Sequence, residues 1–383
     1  MGARIILAVA GAGKTYSICD GLPRDGKSLV LAFTNSNIKN IVQELGLAWK
    51  RNYHEALPDT VKVMTFDSFV FRYCIAPYVE TIKAHFKVNR ELGDLVVSPP
   101  PTKKVKFLKK EIPLFKKDRL EHYVDNRGRF YLSNLTELIM FVRQGRNSLI
   151  NKIANSLNRF WDNIVVDEFQ DFREFDSEFI MAIASKVNNI LLVGDYYQHS
   201  VSAKGNSGKP FRVRKGEVSF QAFVDDLRKK KFYVDLETLA RSRRCPILVC
   251  NFVSAKLGID IKSYHDKQGL VKWVDANEFE SIVDDDDVMK LVWEDAFKCP
   301  FNANNWSYSK GDTYNKVCVI LTEKMDYLAE SAIRANEGPI SRNKLYVALT
   351  RTSDVLYLAT SKLFKDWKNR NRNKVKESWC KEV

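Results

Sequence analysis

The chain has 383 residues, 45% of them hydrophobic, which is enough for two or three packed cores and too apolar for a disordered chain. Its 61 basic and 47 acidic residues leave a formal charge of +14, favouring a polyanionic partner such as nucleic acid, although a merely basic enzyme would show the same balance. No apolar run approaches the roughly 20 residues that span a bilayer, which excludes a membrane-spanning helix.

Arg4-Ile5-Ile6-Leu7 reads as a short apolar strand running into Ala8-Val9-Ala10-Gly11-Ala12-Gly13-Lys14-Thr15. A strand, a glycine loop ending in Gly-Lys-Thr and a following helix make a cradle for phosphates. In such a cradle the backbone N–H groups of residues 10–15 point inward and Lys14 reaches the β/γ-phosphates. The Thr15 hydroxyl ligates Mg²⁺. Ala8 stands where the strict pattern has glycine, a familiar variant. The loop predicts a nucleoside triphosphate, in the first instance ATP with Mg²⁺.

A helix is expected from Tyr16 to Asp20, a turn from Gly21 to Gly26, and a buried strand over Leu29–Phe33. Thr34-Asn35-Ser36-Asn37 caps a helix reaching about Leu45. Val61–Phe66 is a further strand, with Asp67-Ser68 opening the next helix. From 76 to 150 the character changes: Pro99-Pro100-Pro101 is followed by a lysine-rich stretch, then by helical periodicity over Leu135–Phe141. This predicts a basic, mostly helical insertion, whose lysines are either a solvated face or a nucleic-acid contact.

Strands resume at Asn163–Asp167 and Asn189–Asp195, and later at Lys316–Leu321 and Val355–Ala359. Strands alternating with helices predict an α/β fold with parallel sheets. The basic run Arg228–Lys231 marks a boundary. The expected domains are therefore 1–75 with 151–235, interrupted by the insertion, and 236–383. Asp284–Asp287 reads as a solvated loop. The seven cysteines (Cys19, Cys74, Cys245, Cys250, Cys299, Cys318, Cys380) include no Cys-x-x-Cys pair. Neither zinc nor a disulfide framework is expected, and reduced thiols in a cytoplasmic protein are.

Phosphate hydrolysis needs a carboxylate near Mg²⁺, a group that orients water, and cations for the charge developing on the γ-phosphate. The apolar strand ending in Asp167-Glu168 supplies the first two. Asp167 is expected beside the metal, and Glu168 where it can orient or deprotonate the attacking water.

Asp167-Glu168-Phe169-Gln170-Asp171 resembles the second motif of superfamily 1 helicases of the UvrD/PcrA/Rep type, and further motifs follow in that family's order. Ala32-Phe33-Thr34-Asn35 and Thr65-Phe66-Asp67-Ser68-Phe69 resemble its strand-contacting motifs, with Asp67 in place of the usual histidine. Gly194-Asp195-Tyr196-Tyr197-Gln198 resembles the motif whose glutamine senses the γ-phosphate. Leu239–Arg244, Ser309–Tyr314 and Tyr346-Val347-Ala348-Leu349-Thr350-Arg351 resemble the fourth, fifth and sixth. The resemblance runs from residue 4 to about residue 359. It implies two RecA-like P-loop NTPase domains with ATP between them. Lys14, Glu168 and Gln198 would then act with Arg244 and the arginine finger Arg351, and Gly311 would lie at the nucleotide. Phe33, Thr34, Asn35, Thr65 and Ser68 would contact DNA.

Four departures from the family stand out. No adenine-reading glutamine motif precedes the loop in this sequence. Tyr16 and Arg243 stand where the family keeps an arginine and a tyrosine around the adenine, so an exchanged pair is expected, with Tyr16 as a plain helix-face residue the alternative. The tyrosine and tryptophan-arginine pair that follow the third motif are replaced by Val201, Ala203 and Lys204. The interval from Arg244 to Lys310 is too short for the large inserted domain of full-length relatives.

The leading function is a DNA-dependent ATPase that translocates 3′ to 5′ on single-stranded or tailed DNA and can unwind duplex. The alternative is a nucleic-acid-sensing regulatory ATPase beside a nuclease or other effector. Asp67-Ser68-Phe69-Val70 followed by Ile75-Ala76-Pro77 resembles the helicase-like subunit of Gabija-type antiphage defence systems. A phage replication or recombination helicase is a comparable reading. A P-loop kinase or GTPase explains neither Gly194–Gln198 nor Tyr346–Arg351.

Overall fold

The computed structural model describes residues 3–105, 110–144, 147–199, 208–213, 216–334 and 338–371. Val201, Ala203, Lys204 and Cys380 lie outside the described residues. The chain divides into two units. One comprises Met1–Ile5, Thr15–Val193 and Gly208–Val234; the other comprises Ile6–Lys14, Gly194–Ser207 and Asp235–Val383.

The first sheet has six strands in the order Tyr233–Asp235, Arg4–Leu7, Ile190–Gly194, Asn163–Asp167, Ser28–Ala32, Val61–Thr65. Asn163–Asp167 runs parallel to both its neighbours, and Ser28–Ala32 runs parallel to Val61–Thr65. Ser28–Ala32 is buried at every residue, as a near-continuous apolar run in a sheet covered on both faces must be. The helix Asn35–Tyr53 passes the expected end near Leu45. Ala48 and Trp49 continue the buried stripe begun by Ile41 and Leu45. It ends at His54 in the left-handed region, whose N–H donates to the Lys50 carbonyl at 3.2 Å.

Residues 76–150 are mixed rather than mostly helical. Helices Val79–Phe86 and Leu135–Phe141 flank strand pairs, Gly93–Val96 with Arg129–Tyr131 and Thr102–Val105 with Lys110–Pro113. Three successive prolines without N–H donors cannot continue a helix, and no helix runs through them. Lys117 forms an ion pair with Glu137 and lies over the Phe175 ring, so one lysine of the basic stretch is bound within the fold.

The second unit is built on a five-stranded parallel sheet in the order Leu270–Trp273, Thr352–Ala359, Tyr314–Ile320, Val288–Val292, Ala303–Asn305. Alternate residues of Tyr314–Ile320 face two cores. Val317 and Val319 pack with Val249, Val253, Leu345 and Ala348 from helices Ile247–Leu257 and Pro339–Leu349. Cys318 and Ile320 pack with Phe279 and Trp367 from helices Ala276–Asp284 and Ser361–Arg370. This two-faced burial is the α/β architecture expected of a RecA-like domain. No helix among the described residues is long and apolar enough to cross a membrane.

Candidate functional site

In the second unit the phosphate loop is fixed at its base. The Ala8 N–H donates to the Gly194 carbonyl at 2.8 Å and the Val9 N–H to Leu239 at 3.1 Å. Gly11 and Gly13 then take φ values of +71° and +83°, the left-handed backbone a tight loop demands of glycine. A Cβ on Gly11 would stand 2.6 Å from Arg244 Cβ and 2.7 Å from Ser242 Oγ. Gly11→Ala is therefore expected to cost about 1–2 kcal/mol in backbone strain and about 1–3 kcal/mol in overpacking. Urea unfolding of the full chain measures it; a midpoint within error of wild type would contradict the packing.

Ala10 and Gln198 are tied through a residue to which sequence reasoning gave no role. The Ala10 N–H donates to the Tyr346 hydroxyl at 2.8 Å. That hydroxyl donates in turn to Asp195 Oδ2 at 3.3 Å, the oxygen that accepts the Gln198 side chain at 2.8 Å. Tyr346 is fully buried, and burial with the Asp195 charge pushes its phenol far up, so it stays a neutral donor and acceptor. Its position within Tyr346–Arg351 was legible, but a partner in the loop was not.

Arg244 and Arg351 also lie in the second unit, each desolvated. Arg244 Nη1 donates to the Thr350 carbonyl at 3.2 Å, and burial lowers its pKa. Arg351 is 2% exposed. Its Nε donates to Val347 O at 2.9 Å, and its Nη1 lies 3.3 Å from both Ser309 O and Asp312 O. Burial first, and repulsion from Arg244 second, lower its pKa to about 9, which leaves it a cation at neutral pH. Gly311, at φ +97°, turns the segment between those two carbonyls.

In the first unit the buried strand Asn163–Asp167 delivers the acidic pair. Glu168 sits at φ +54°, a strained backbone for a glutamate. Its N–H donates to Asp167 Oδ1 at 2.9 Å, and its own Oε2 accepts the Gln170 side chain. Gln170 thereby orients the carboxylate, a role that nothing in the sequence signalled. Thr15 and Asp167 offer hydroxyl and carboxylate oxygens, the hard donors Mg²⁺ takes alongside substrate phosphates. Among the described residues no group of three or more His, Cys, Asp or Glu could hold a metal, and a Mg²⁺ site of this kind needs none.

Tyr16 and Arg243 each have another partner. The Arg51 guanidinium lies 5.0 Å from the Tyr16 ring in the first unit, and Arg243 lies 4.4 Å from the Tyr264 ring in the second. Arg51 and Tyr264 both escaped the sequence reading, because each stacks from an element remote in sequence.

The expected strand contacts gather at adjacent strand ends of the first unit, where Ala32 pairs with Thr65. Thr34 Oγ1 caps its helix by accepting the Asn37 N–H at 3.1 Å, with Asn35 opening that helix. Thr65 donates to Ser68 Oγ at 2.8 Å and accepts its N–H at 3.2 Å. Phe33 is 40% exposed, its edge against Phe172 at 5.7 Å. The hydroxyls of Thr34, Thr65 and Ser68 thus hold the loops, and Phe33 presents the open aromatic surface.

Residues 115–200 match the family model of the UvrD/REP helicase N-terminal domain. Over these residues the chain is similar to that domain. The match contains the Asp167–Asp171 and Gly194–Gln198 motifs. No curated protein matches the sequence significantly. Among solved structures, an arterivirus nonstructural protein 10 helicase in complex with DNA is similar to this chain at 12% identity and a TM-score of 0.44, covering 95% of this chain and 62% of that one. The PRRSV helicase is similar at 13% identity and a TM-score of 0.41, covering 94% and 52%. The chain thus spans less than two thirds of either protein.

Proposed function

We propose that this chain is a UvrD-like, DNA-dependent ATPase that moves 3′ to 5′ along single-stranded DNA and unwinds tailed duplex. What supports the reading is the joining of the phosphate loop to the Gln198 anchor through the Tyr346 hydroxyl, in a chain whose acidic pair lies within the family match. The loop residues Ala10–Thr15 hold the phosphates of ATP, and Arg243 lies beside Gly13. Thr15 and Asp167 would hold Mg²⁺, which would neutralise charge on those phosphates. Glu168, steadied by Gln170, orients the attacking water and accepts its proton. Gln198 answers to the γ-phosphate, and Arg244 and Arg351 carry the cations that offset its developing charge. Phe33 offers its ring to a base.

Two experiments test this. Lys14→Ala should lower kcat for ATP at least about 100-fold, and wild-type turnover in that variant would remove the loop from the site. Displacement of streptavidin from an oligonucleotide biotinylated at one end should proceed faster from the 5′ end than from the 3′ end. Hydrolysis stimulated by DNA without displacement from either end would contradict a motor and favour a regulatory sensor of single strands.

A further inference from the structure

The second unit carries an aromatic ring that its own fold leaves bare. Tyr308 is 74% exposed, the most open aromatic among the described residues. Among those residues no second ring, cation or hydrogen bond engages its side chain. Tyr16 and Tyr264, by contrast, each have an arginine over the ring.

The backbone beneath Tyr308 is held as firmly as the ring is open. The N–H groups of Tyr308 and Ser309 both donate to the Asn305 carbonyl, at 3.0 and 3.1 Å, and Ser309 Oγ donates to the Trp306 carbonyl at 2.8 Å. Trp306 is fully buried, and its Nε1 donates to Leu291 O at 3.1 Å, which pins the turn to the sheet. On the other side, Arg351 Nη1 lies 3.3 Å from Ser309 O. A lone apolar side chain on a surface needs no explanation. Here, however, a turn braced from several directions presents its one large ring to water, the preorganised form that a stacking partner requires.

Positive charge accompanies the ring. Lys310 follows two residues on. Beside the anchor of the turn, Trp293 stands edge-on to Trp306 at 5.4 Å, with Lys344 Nζ 4.2 Å from the Trp293 ring. An open ring on a segment that also carries lysine suits a single strand, whose bases stack and whose phosphates attract cations.

We propose that Tyr308 stacks on a base of single-stranded DNA and gives the second unit its own hold on the strand. This rests on the motor reading above, in which Phe33 offers an open ring on the first unit. A chain that steps along a strand needs a hold on each moving part, made and released in turn. Tyr308 lies outside every motif that carries the family resemblance, the nearest beginning at Ser309. Its neighbour's carbonyl meets Arg351, so the strand contact sits on the same short turn as a support of that arginine.

The test compares two labelled strands by fluorescence anisotropy on the full chain: an oligothymidine, and an abasic oligonucleotide of equal length that has the phosphates and no bases. Tyr308→Ala should weaken the oligothymidine about tenfold and leave the abasic strand within about twofold. Tyr308→Phe, which keeps the ring, should bind both as wild type does. Equal weakening of both strands by Tyr308→Ala would overturn the proposal, since the residue would then be supporting the turn or the fold. Wild-type affinity for oligothymidine in Tyr308→Ala would overturn it too, while leaving the motor reading in place. If the wild-type chain binds neither strand, the motor reading itself fails, and the proposal falls with it.

Discussion

Glu168→Gln is expected to lower kcat for ATP by a factor of about 10²–10⁴, the usual worth of a positioned general base, while KM stays within about twofold of wild type. The amide keeps the shape and the contact to Gln170 but cannot take a proton. Because Glu168 already occupies a left-handed backbone at φ +54° and is bonded by Gln170, the substitution removes charge from a geometry that the strand end holds in place. Steady-state hydrolysis at saturating and limiting ATP separates the two constants. A raised KM with unchanged kcat would mean that Glu168 helps to bind nucleotide and takes no part in the chemistry.

Arg351 should behave differently, because it serves stability as well as charge. Its donors go to the carbonyls of Val347, Ser309 and Asp312 inside the second unit. Arg351→Ala leaves those acceptors buried without a donor and opens a cavity, at an expected cost of about 3–5 kcal/mol. Arg351→Lys keeps one point charge and loses the planar fork, so it should retain more of the stability. Arginine-finger chemistry adds a factor of about 10³–10⁵ in kcat, and both variants should lose most of it. Urea unfolding ranks the stabilities, and hydrolysis by Arg351→Lys under conditions where it is folded reports the chemistry. A folded Arg351→Lys with wild-type kcat would leave Arg351 as a structural arginine only.

The legible parts of this chain were those where one physical rule dominated a short stretch. Leu29–Ala32 and Ile164–Val166 read as strands because nothing but burial explains such runs, and both lie in the first sheet. The glycines of the loop from Ala10 to Thr15 take the tight left-handed backbone such a loop demands, and the strand before the acidic pair ends at Asp167. Residues 76–150 misled because the periodicity of Leu135–Phe141 is real but local, while the short strands before it pair across the chain and leave little local signal. Tyr346 and Tyr264 were hidden for a related reason. Each meets a partner that only the fold supplies: Ala10 with Asp195, and Arg243. The burial of Arg351 was equally unreadable, since an arginine that ends a helical motif looks the same in sequence whether its donors face phosphate or carbonyl.

The rate of ATP hydrolysis by the wild-type chain, with and without single-stranded DNA, bears most directly on the proposed motor. Mg²⁺-dependent hydrolysis should rise at least about tenfold when the strand is added, and should be lost in Lys14→Ala under both conditions. A chain that hydrolyses ATP at one rate regardless of DNA, or that keeps its DNA-stimulated rate without Lys14, would contradict it.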